Sequence, residues 1–512
     1  MNDKLSNSKK ASLNTVTSMG IKVISMLSSF IMKTILIQSM GLQYTGISSV
    51  FSDLLLLFSF AELGIGSAIV FELYKPIAEK DFKKIAKLMH FYKRAYQLIG
   101  FSIFALGLLL IPFLNFIITD VPNVKENIVV IYILYLLNTC VSYFLIYQSS
   151  LLTAGQENYK ISIVQGLFFI FKLIINSFVL LLLRNFIVYL IVDILLTIIQ
   201  NLIIYRMSSI RFKDIKKYNS ERLSQFEKKN LFNNVSALAL YQISNVVLNS
   251  TDSLIISSIL GTGVVAFFAN YRLIVKSVDS FASQITISLT PTLGDLAVKK
   301  NNSQKEHFNI LNFFIFWITL NSSLQILFLS TPFIELWLGE KFILNNSLLI
   351  LLVIDYVIVN LARPVATIRN ANGLFTQGKY RPLLMALLNI IFSILFVNLF
   401  GIIGVILGTL ISRILTQVWF DPYIIYKHVF FENSFEYFQG YFKNILFIFF
   451  TALMVLISKN FVNSIFSIHN NLMILISNFI LTIIISNIIF YVFYKNKTEF
   501  IRILDIIKSY KH

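Results

Sequence analysis

Four stretches of this chain, Ala95 to Thr119, Asn127 to Gln156, Phe308 to Ile334 and Leu383 to Ser412, contain no Asp, Glu, Lys or Arg. A hydrocarbon core about 30 Å thick is crossed by roughly 20 apolar residues of α-helix at about 1.5 Å each, so every one of these runs can span a bilayer. The last is long enough for two helices meeting at Gly401-Ile-Ile-Gly404. A membrane β-barrel would alternate polarity over strands of about 10 residues, whereas these runs are apolar on every face. Of the 512 residues, 56% are hydrophobic and 13% charged, about half the charged share of a soluble domain.

The pattern predicts an all-α integral membrane protein with about fourteen transmembrane helices. They fall near residues 13–40, 45–73, 95–119, 127–153, 161–183, 185–205, 231–259, 264–290, 308–331, 347–370, 383–400, 403–426, 441–458 and 472–494. Lys4, Lys9 and Lys10 before an apolar stretch imitate a secretory signal. The stretch from Ala11 to Met40 is too long and lacks a small-residue cleavage site, so it reads as a retained first helix.

Charge gives these spans a direction. Lys75 to Arg94, Arg206 to Lys229, Lys299 to Lys305, Arg369 to Arg381 and the tail from Lys495 to Lys511 are rich in Lys and Arg, and all fall on one side. The other side carries only Lys125, Arg184, Lys341 and Lys459. Cationic loops stay in the cytoplasm, so both termini are expected there. The net charge of +18 then lies beside anionic lipid and requires no nucleic-acid partner. From Ile77 to Tyr92, Phe82, Ile85, Ala86 and Met89 oppose Lys80, Lys83, Lys84 and Lys87, which reads as an amphipathic surface helix or a solvated linker. Cys140 stands alone, and His90, His307, His428, His469 and His512 have no metal-ligand spacing, so no disulfide, metal or cofactor is expected.

A faint repeat divides the chain. Met40-Gly41 followed by Gly46-Ile-Ser-Ser is similar to Leu260-Gly261 followed by Ala266-Phe-Phe-Ala-Asn-Tyr. The second helix is expected to end at Lys75-Pro76 and the eighth at Thr290-Pro291. Ala154-Gly155-Gln156 and Asn158-Tyr159-Lys160 are echoed by Asn372-Gly373 and Gly378-Lys379-Tyr380. The order implies a six-helix bundle over 1–206, a basic linker over 207–230, a second six-helix bundle over 231–426, and two further helices with a tail over 427–512. Six helices per half preserve orientation, so the halves would be related by a pseudo-two-fold along the membrane normal, with a substrate path between them.

Gly41-Leu-Gln-Tyr-Thr-Gly46, Phe58-Ser-Phe-Ala-Glu62-Leu-Gly64-Ile-Gly66-Ser-Ala, the Lys75-Pro76 exit and the Gly-Lys-Tyr turn resemble the polysaccharide transporters. These are the Wzx-type lipid-linked oligosaccharide flippases of the multidrug/oligosaccharidyl-lipid/polysaccharide exporter superfamily. The resemblance implies two bundles around a cavity, alternating access, a bacterial plasma-membrane location, and an oligosaccharide on a polyisoprenoid diphosphate as substrate. A polysaccharide polymerase would be a fitting partner in capsule, O-antigen or exopolysaccharide synthesis.

A charge at mid-membrane costs roughly 2.5–3.5 kcal/mol on insertion scales, which marks retained ones as candidates. Lys22 and Lys33 lie eleven residues apart on one stripe of the first helix. On the eighth, Arg272, Lys276 and Asp279 follow spacings of four and three, also one face. Lys22, Lys33, Arg272 and Lys276 are the candidate diphosphate ligands, since Arg offers a fork and Lys a point charge to phosphate oxygens. Lys33 also fits a lysine that snorkels to the interface, and Lys276 one that neutralises Asp279. In the related flippases, cations of the first and eighth helices serve the cavity.

Candidates for coupling to H+ or Na+ are Glu62, Asp53, Asp252 and Asp279, with Asp193 and Asp355 as further intramembrane acids. Arg363-Pro364 is expected to interrupt the tenth helix as a gating bend, and Pro112 to kink the third. Lys172 and Arg413 fit bundle-facing salt bridges or extra cavity charge. The last two helices, uniformly apolar, are candidates to border a lipid tail.

With no nucleotide-binding motif, an ion gradient or the membrane potential would supply the energy. The expected function is therefore flipping of undecaprenyl-diphosphate-linked repeat units to the outer leaflet, and the chain is not expected to be an enzyme. A multidrug or cation antiporter of the same superfamily would want a net acidic cavity. A membrane-embedded glycosyltransferase or polymerase would want a large polar outer loop.

Overall fold

The computed structural model describes residues 7–58, 65–120, 124–218, 222–225, 227, 246–248, 250–298, 303–372, 374, 377–466 and 470–509. They are helical nearly throughout. In chain order the helices are α1 (Asn7–Met40), α2 (Leu42–Phe58), α3 (Ile65–Glu79), α4 (Phe82–Leu109), α5 (Leu114–Ile117), α6 (Ile128–Ile146), α7 (Ser149–Ala154), α8 (Asn158–Phe178) and α9 (Phe186–Arg211). There follow α10 (Val246–Leu260), α11 (Thr262–Val298), α12 (Ser303–Leu338), α13 (Asn346–Ala371), α14 (Arg381–Phe400), α15 (Ile402–Ile425), α16 (Phe435–Phe466), α17 (Asn471–Tyr494) and α18 (Thr498–Ser509).

Among the described residues, ten helices are long and apolar enough to cross a membrane, or eleven when the bent pair α4 and α5 is one span. Two shorter apolar helices, α2 and α10, and the charge-bearing α11 cover the remaining expected positions. The chain is a multi-pass membrane protein. Its outward faces agree, since Leu98 and Phe101 on α4, Phe442 and Leu446 on α16 and Ile484 and Ile488 on α17 are exposed large hydrophobics.

The chain forms two compact units, Met1–Ala266 and Phe267–His512. In the first, α1 packs along α8, and α6 lies between α4 and α9. Helix α10 belongs here: Ser257 Oγ donates to the Ile117 carbonyl at 2.7 Å, and Thr119 Oγ1 donates to the Ser257 carbonyl at 3.2 Å. In the second unit α14 and α15 form a close hairpin, and α13 packs on α12 and α15. Two-thirds of its membrane window is buried, against 17% for α16 and α17, so α13 is internal and the last two helices are peripheral.

Two of the echoed turns share a backbone conformation. Gly41 between α1 and α2 and Gly261 between α10 and α11 adopt φ of +99° and +92°, a region that L side chains rarely occupy. Each therefore turns the chain sharply between two apolar helices. The later pair agrees in part: Gln156 and Gly378, in the echoed loops, both have positive φ.

Several boundaries depart from expectation. Residues 82–92 are not a separate surface helix. Asp81 accepts from the Lys84 N–H at 2.9 Å as an N-cap, and no breaker follows until the 43° bend at Ile111–Phe113, where Pro112 lies as expected. Ile85, Leu88, Met89 and Tyr92 are buried against protein, so this amphipathic face meets α3 and the linker. Helix α3 continues past Pro76 to Glu79, and α11 past Pro291 to Val298. Likewise α13 runs unbroken with Pro364 inside it. Proline forfeits one helical hydrogen bond, and at Pro364 the helix continues through the loss between buried flanks.

The last helices are not uniformly apolar either. Asn478, Thr482 and Ser486 on α17 follow a spacing of four and are buried against α12. Gln325 donates to Thr482 at 2.7 Å, and Ser486 and Asn487 donate to Asn321 at 2.8 and 2.9 Å. Such polar pairs fasten helices where no hydrophobic driving force exists between them.

Substituting the two turn glycines distinguishes strain from crowding. Gly41→Ala meets open space and carries only backbone strain, about 1–3 kcal/mol. Gly261→Ala adds a Cβ 2.2 Å from Asp120 Oδ2. Thermal unfolding in detergent should show a lower midpoint for Gly261→Ala than for Gly41→Ala, and both below the unmodified protein.

Candidate functional site

Helices α8 and α9 form a hairpin turning at Arg184, so residues at similar distances from the turn reach the same depth. Lys172 on α8 and Asp193 on α9 meet in this way at 3.0 Å, each side chain about a fifth exposed (23% and 21%). Lys172 also donates to Thr197 Oγ1 at 2.7 Å. Asn138 from α6 donates to one Asp193 oxygen at 2.9 Å and Asn176 to the other at 3.2 Å. One cation and two amides thus surround a single carboxylate inside the bundle, each supplying a donor to it.

The second unit repeats the device with arginine. Arg363 on α13 approaches both oxygens of Asp279 on α11, at 2.6 and 2.7 Å, and Asn360 one turn earlier adds a donor at 3.1 Å. Arg413 on α15 reaches Asp355 on α13 at 2.7 Å. Arg363, Asp279, Arg413 and Asp355 are between 15% and 33% exposed at the side chain.

Two further ion clusters lie where the spans meet loops. In the first unit Glu157, 1% exposed, accepts from Arg211 at the end of α9 at 2.7 Å and pairs with Lys160. In the second unit the charges are reversed. Arg369, also 1% exposed, pairs with Asp421 on α15 and donates to the carbonyls of Leu374 and Gln377, while Arg381 reaches the other Asp421 oxygen at 3.0 Å. The first cluster ties the start of α8 to the end of α9, and the second ties the end of α13 and the start of α14 to α15.

The substrate candidates are dispersed differently. Lys22 and Lys33 are half-buried on α1, and Lys33 makes no hydrogen bond or ion pair among the described residues. Arg272 is half-buried with its guanidinium 5.9 Å from the centre of the Phe268 ring, and Lys276 is exposed. Asp53 on α2 is half-buried and Asp252 on α10 is buried at 7% exposure, each engaged by other groups. Asp279 is engaged by Arg363, which joins a coupling candidate to a gating candidate in one ion pair. Glu62 lies outside the described residues.

Sequence reading left Lys172 and Arg413 without partners. The α8–α9 hairpin register could have matched Lys172 to Asp193. Nothing local signals that Asp279 meets Arg363, or that Glu157, Arg369 and Asp421 are buried.

No family model and no curated protein sequence matches this chain. Solved structures do. A lipid II flippase, MurJ, in an inward closed conformation is similar with a TM-score of 0.69 at 18% identity, covering 94% of this chain and 99% of that one. An inward-facing multidrug-resistance MATE transporter of the MOP superfamily is similar with a TM-score of 0.60 at 13% identity, over 79% of this chain and 97% of that one. A point mutant of the Vibrio cholerae MATE transporter VcmN gives 0.58 at 16%, over 84% and 99%. The fold is that of the MOP superfamily transporters. At these identities the likeness speaks for architecture, and side-chain chemistry has to be read from this chain's own residues.

Asp193, Asp279 and Asp355 are held in ion pairs, so single and double removals should differ. Lys172→Met strands Asp193 and is expected to cost about 3 kcal/mol, the low end for a broken buried pair because both groups are partly wet. Lys172→Met with Asp193→Asn should recover most of that loss, as measured by denaturant titration in mild detergent.

Proposed function

We propose that this protein flips a polyisoprenoid-diphosphate-linked oligosaccharide across the membrane by alternating access, with Lys22, Lys33, Arg272 and Lys276 as the candidate diphosphate ligands. The observation that carries the reading is Lys33. A half-buried ammonium on a membrane-spanning helix, without an ion pair among the described residues, is costly until an anion reaches it. Asp193, Asp279 and Asp355, by contrast, are each neutralised within their own unit. Lys33 remains a cation without an ion pair among the described residues, which suits a diphosphate and not a cationic drug.

The fold likeness supports the same reading, since a lipid II flippase shares this architecture over 94% of the chain. Moving a sugar chain through hydrocarbon strips its hydroxyls of water at several kcal/mol for each unpaired group, roughly 2–7, and a hydrated path removes that cost. An apolar groove of about 360 Å³ between α12, α17 and α18, lined by Phe313, Trp317, Phe490 and Leu504 among others, is chemically suited to a stretch of isoprenoid tail. Such a protein is a transporter and not an enzyme. Asp53, Asp252 and Asp279 are its candidate groups for H+ or Na+ coupling, and both termini lie in the cytoplasm.

The test is reconstitution into vesicles with radiolabelled lipid-linked repeat unit, scoring outer-leaflet accessibility with and without an ion gradient. Lys33→Ala and Arg272→Ala should each lower the flipping rate at least tenfold while the protein stays folded in the membrane. Accessibility no greater than in protein-free vesicles would exclude flipping of that substrate. Efflux of a cationic dye unaffected by Lys33→Ala would favour an antiporter.

A further inference from the structure

The amphipathic first half of α4 and the linker after α9 enclose a pocket that the flipping reading does not use. Lys87, His90, Phe91, Arg94, Ala95 and Leu98 line one wall, at the three- and four-residue spacings that place them on a single helix face. Arg222 and Leu223 of the linker form the other, around about 290 Å³. The linker is pinned there: Glu227 receives Lys84 from α4 at 2.5 Å and accepts the Ser224 N–H at 2.8 Å. These bonds hold the Glu227 carboxyl down at about 2, so it stays ionised and the wall stays in place at ordinary pH.

The lining has two chemistries in order along the helix. Lys87, Arg94 and Arg222 crowd one end, and buried Leu223 backs it. His90 Nε2 is buried there without a hydrogen-bond partner among the described residues. At the other end Ala95 and Leu98 lead onto Phe101, with Leu98 and Phe101 69% and 63% exposed on the apolar flank of the same helix. A cationic cup opening onto an apolar, membrane-facing track matches an amphiphile with an anionic head.

We propose that this pocket binds the phosphodiester headgroup of an anionic phospholipid from the adjoining leaflet, its acyl chains lying over Leu98 and Phe101. The lipid would join α4 to the linker as a third component. A free phosphate would use the cations equally well but would gain nothing from the apolar track.

The test uses the full-length protein, delipidated in detergent and titrated with phosphatidylglycerol or phosphatidylcholine, with retained lipid counted by native mass spectrometry. The unmodified protein should retain one phosphatidylglycerol at concentrations where phosphatidylcholine does not bind. Each pocket cation removed should weaken retention about fivefold, so Arg94→Gln with Arg222→Gln gives roughly 25-fold, and Lys87→Gln alone about fivefold. Lys495→Gln with Lys497→Gln, which removes two exposed cations elsewhere, should change it less than about twofold. Equal weakening by that control, or undiminished retention in both pocket variants, would overturn the site. Complete displacement of the lipid by millimolar inorganic phosphate would overturn the lipid assignment.

Discussion

The cost of an unpaired charge in hydrocarbon organises this molecule. Asp193 and Asp355 lie in membrane-crossing helices and Asp279 on the charge-bearing α11, and each receives a cation from a neighbouring helix of its own unit. Those pairs set helix register as much as they add stability. Lys172 must face α9, and Arg363 must face α11, before either acid is tolerable. Asn138, Asn176 and Asn360 then fill remaining lone pairs, so the polar contacts are directional. Against that background the first-helix lysine at position 33 stands apart, which is why it carries the functional reading.

The loops obey the same rule at the ends of the spans. Glu157 in one unit and Arg369 in the other are almost wholly buried, and each is met by opposite charges from the helix that closes its bundle. The sign is exchanged between units while the geometry is similar. An ion pair survives reversal of both partners, while a single reversal leaves a buried like-charge contact. The two turn glycines hold φ near +95°, which L side chains rarely adopt.

The helices appended after the second bundle are peripheral but attached by chemistry. Asn321, Gln325, Thr482, Ser486 and Asn487 form a ladder between α12 and α17, and aromatic contacts of Phe313, Phe490 and Phe500 continue it to α18. Hydropathy sums average such a stripe away, which explains how α17 could read as uniformly apolar. Proline misled for a related reason. Pro76, Pro291 and Pro364 mark local preference for a break, whereas each helix continues through.

By itself the sequence determined the class of solvent, the helical architecture and the approximate position of nearly every span. Hydrocarbon permits few alternatives to a long apolar helix, and composition over 20 residues is a local property. It also singled out the charges within the expected spans, because each is expensive wherever it points. Only the tertiary structure decided which of them are already neutralised. Pairing depends on depth and on facing helices brought together from distant segments, as with Asp279 and Arg363, and no spacing along the chain encodes that meeting.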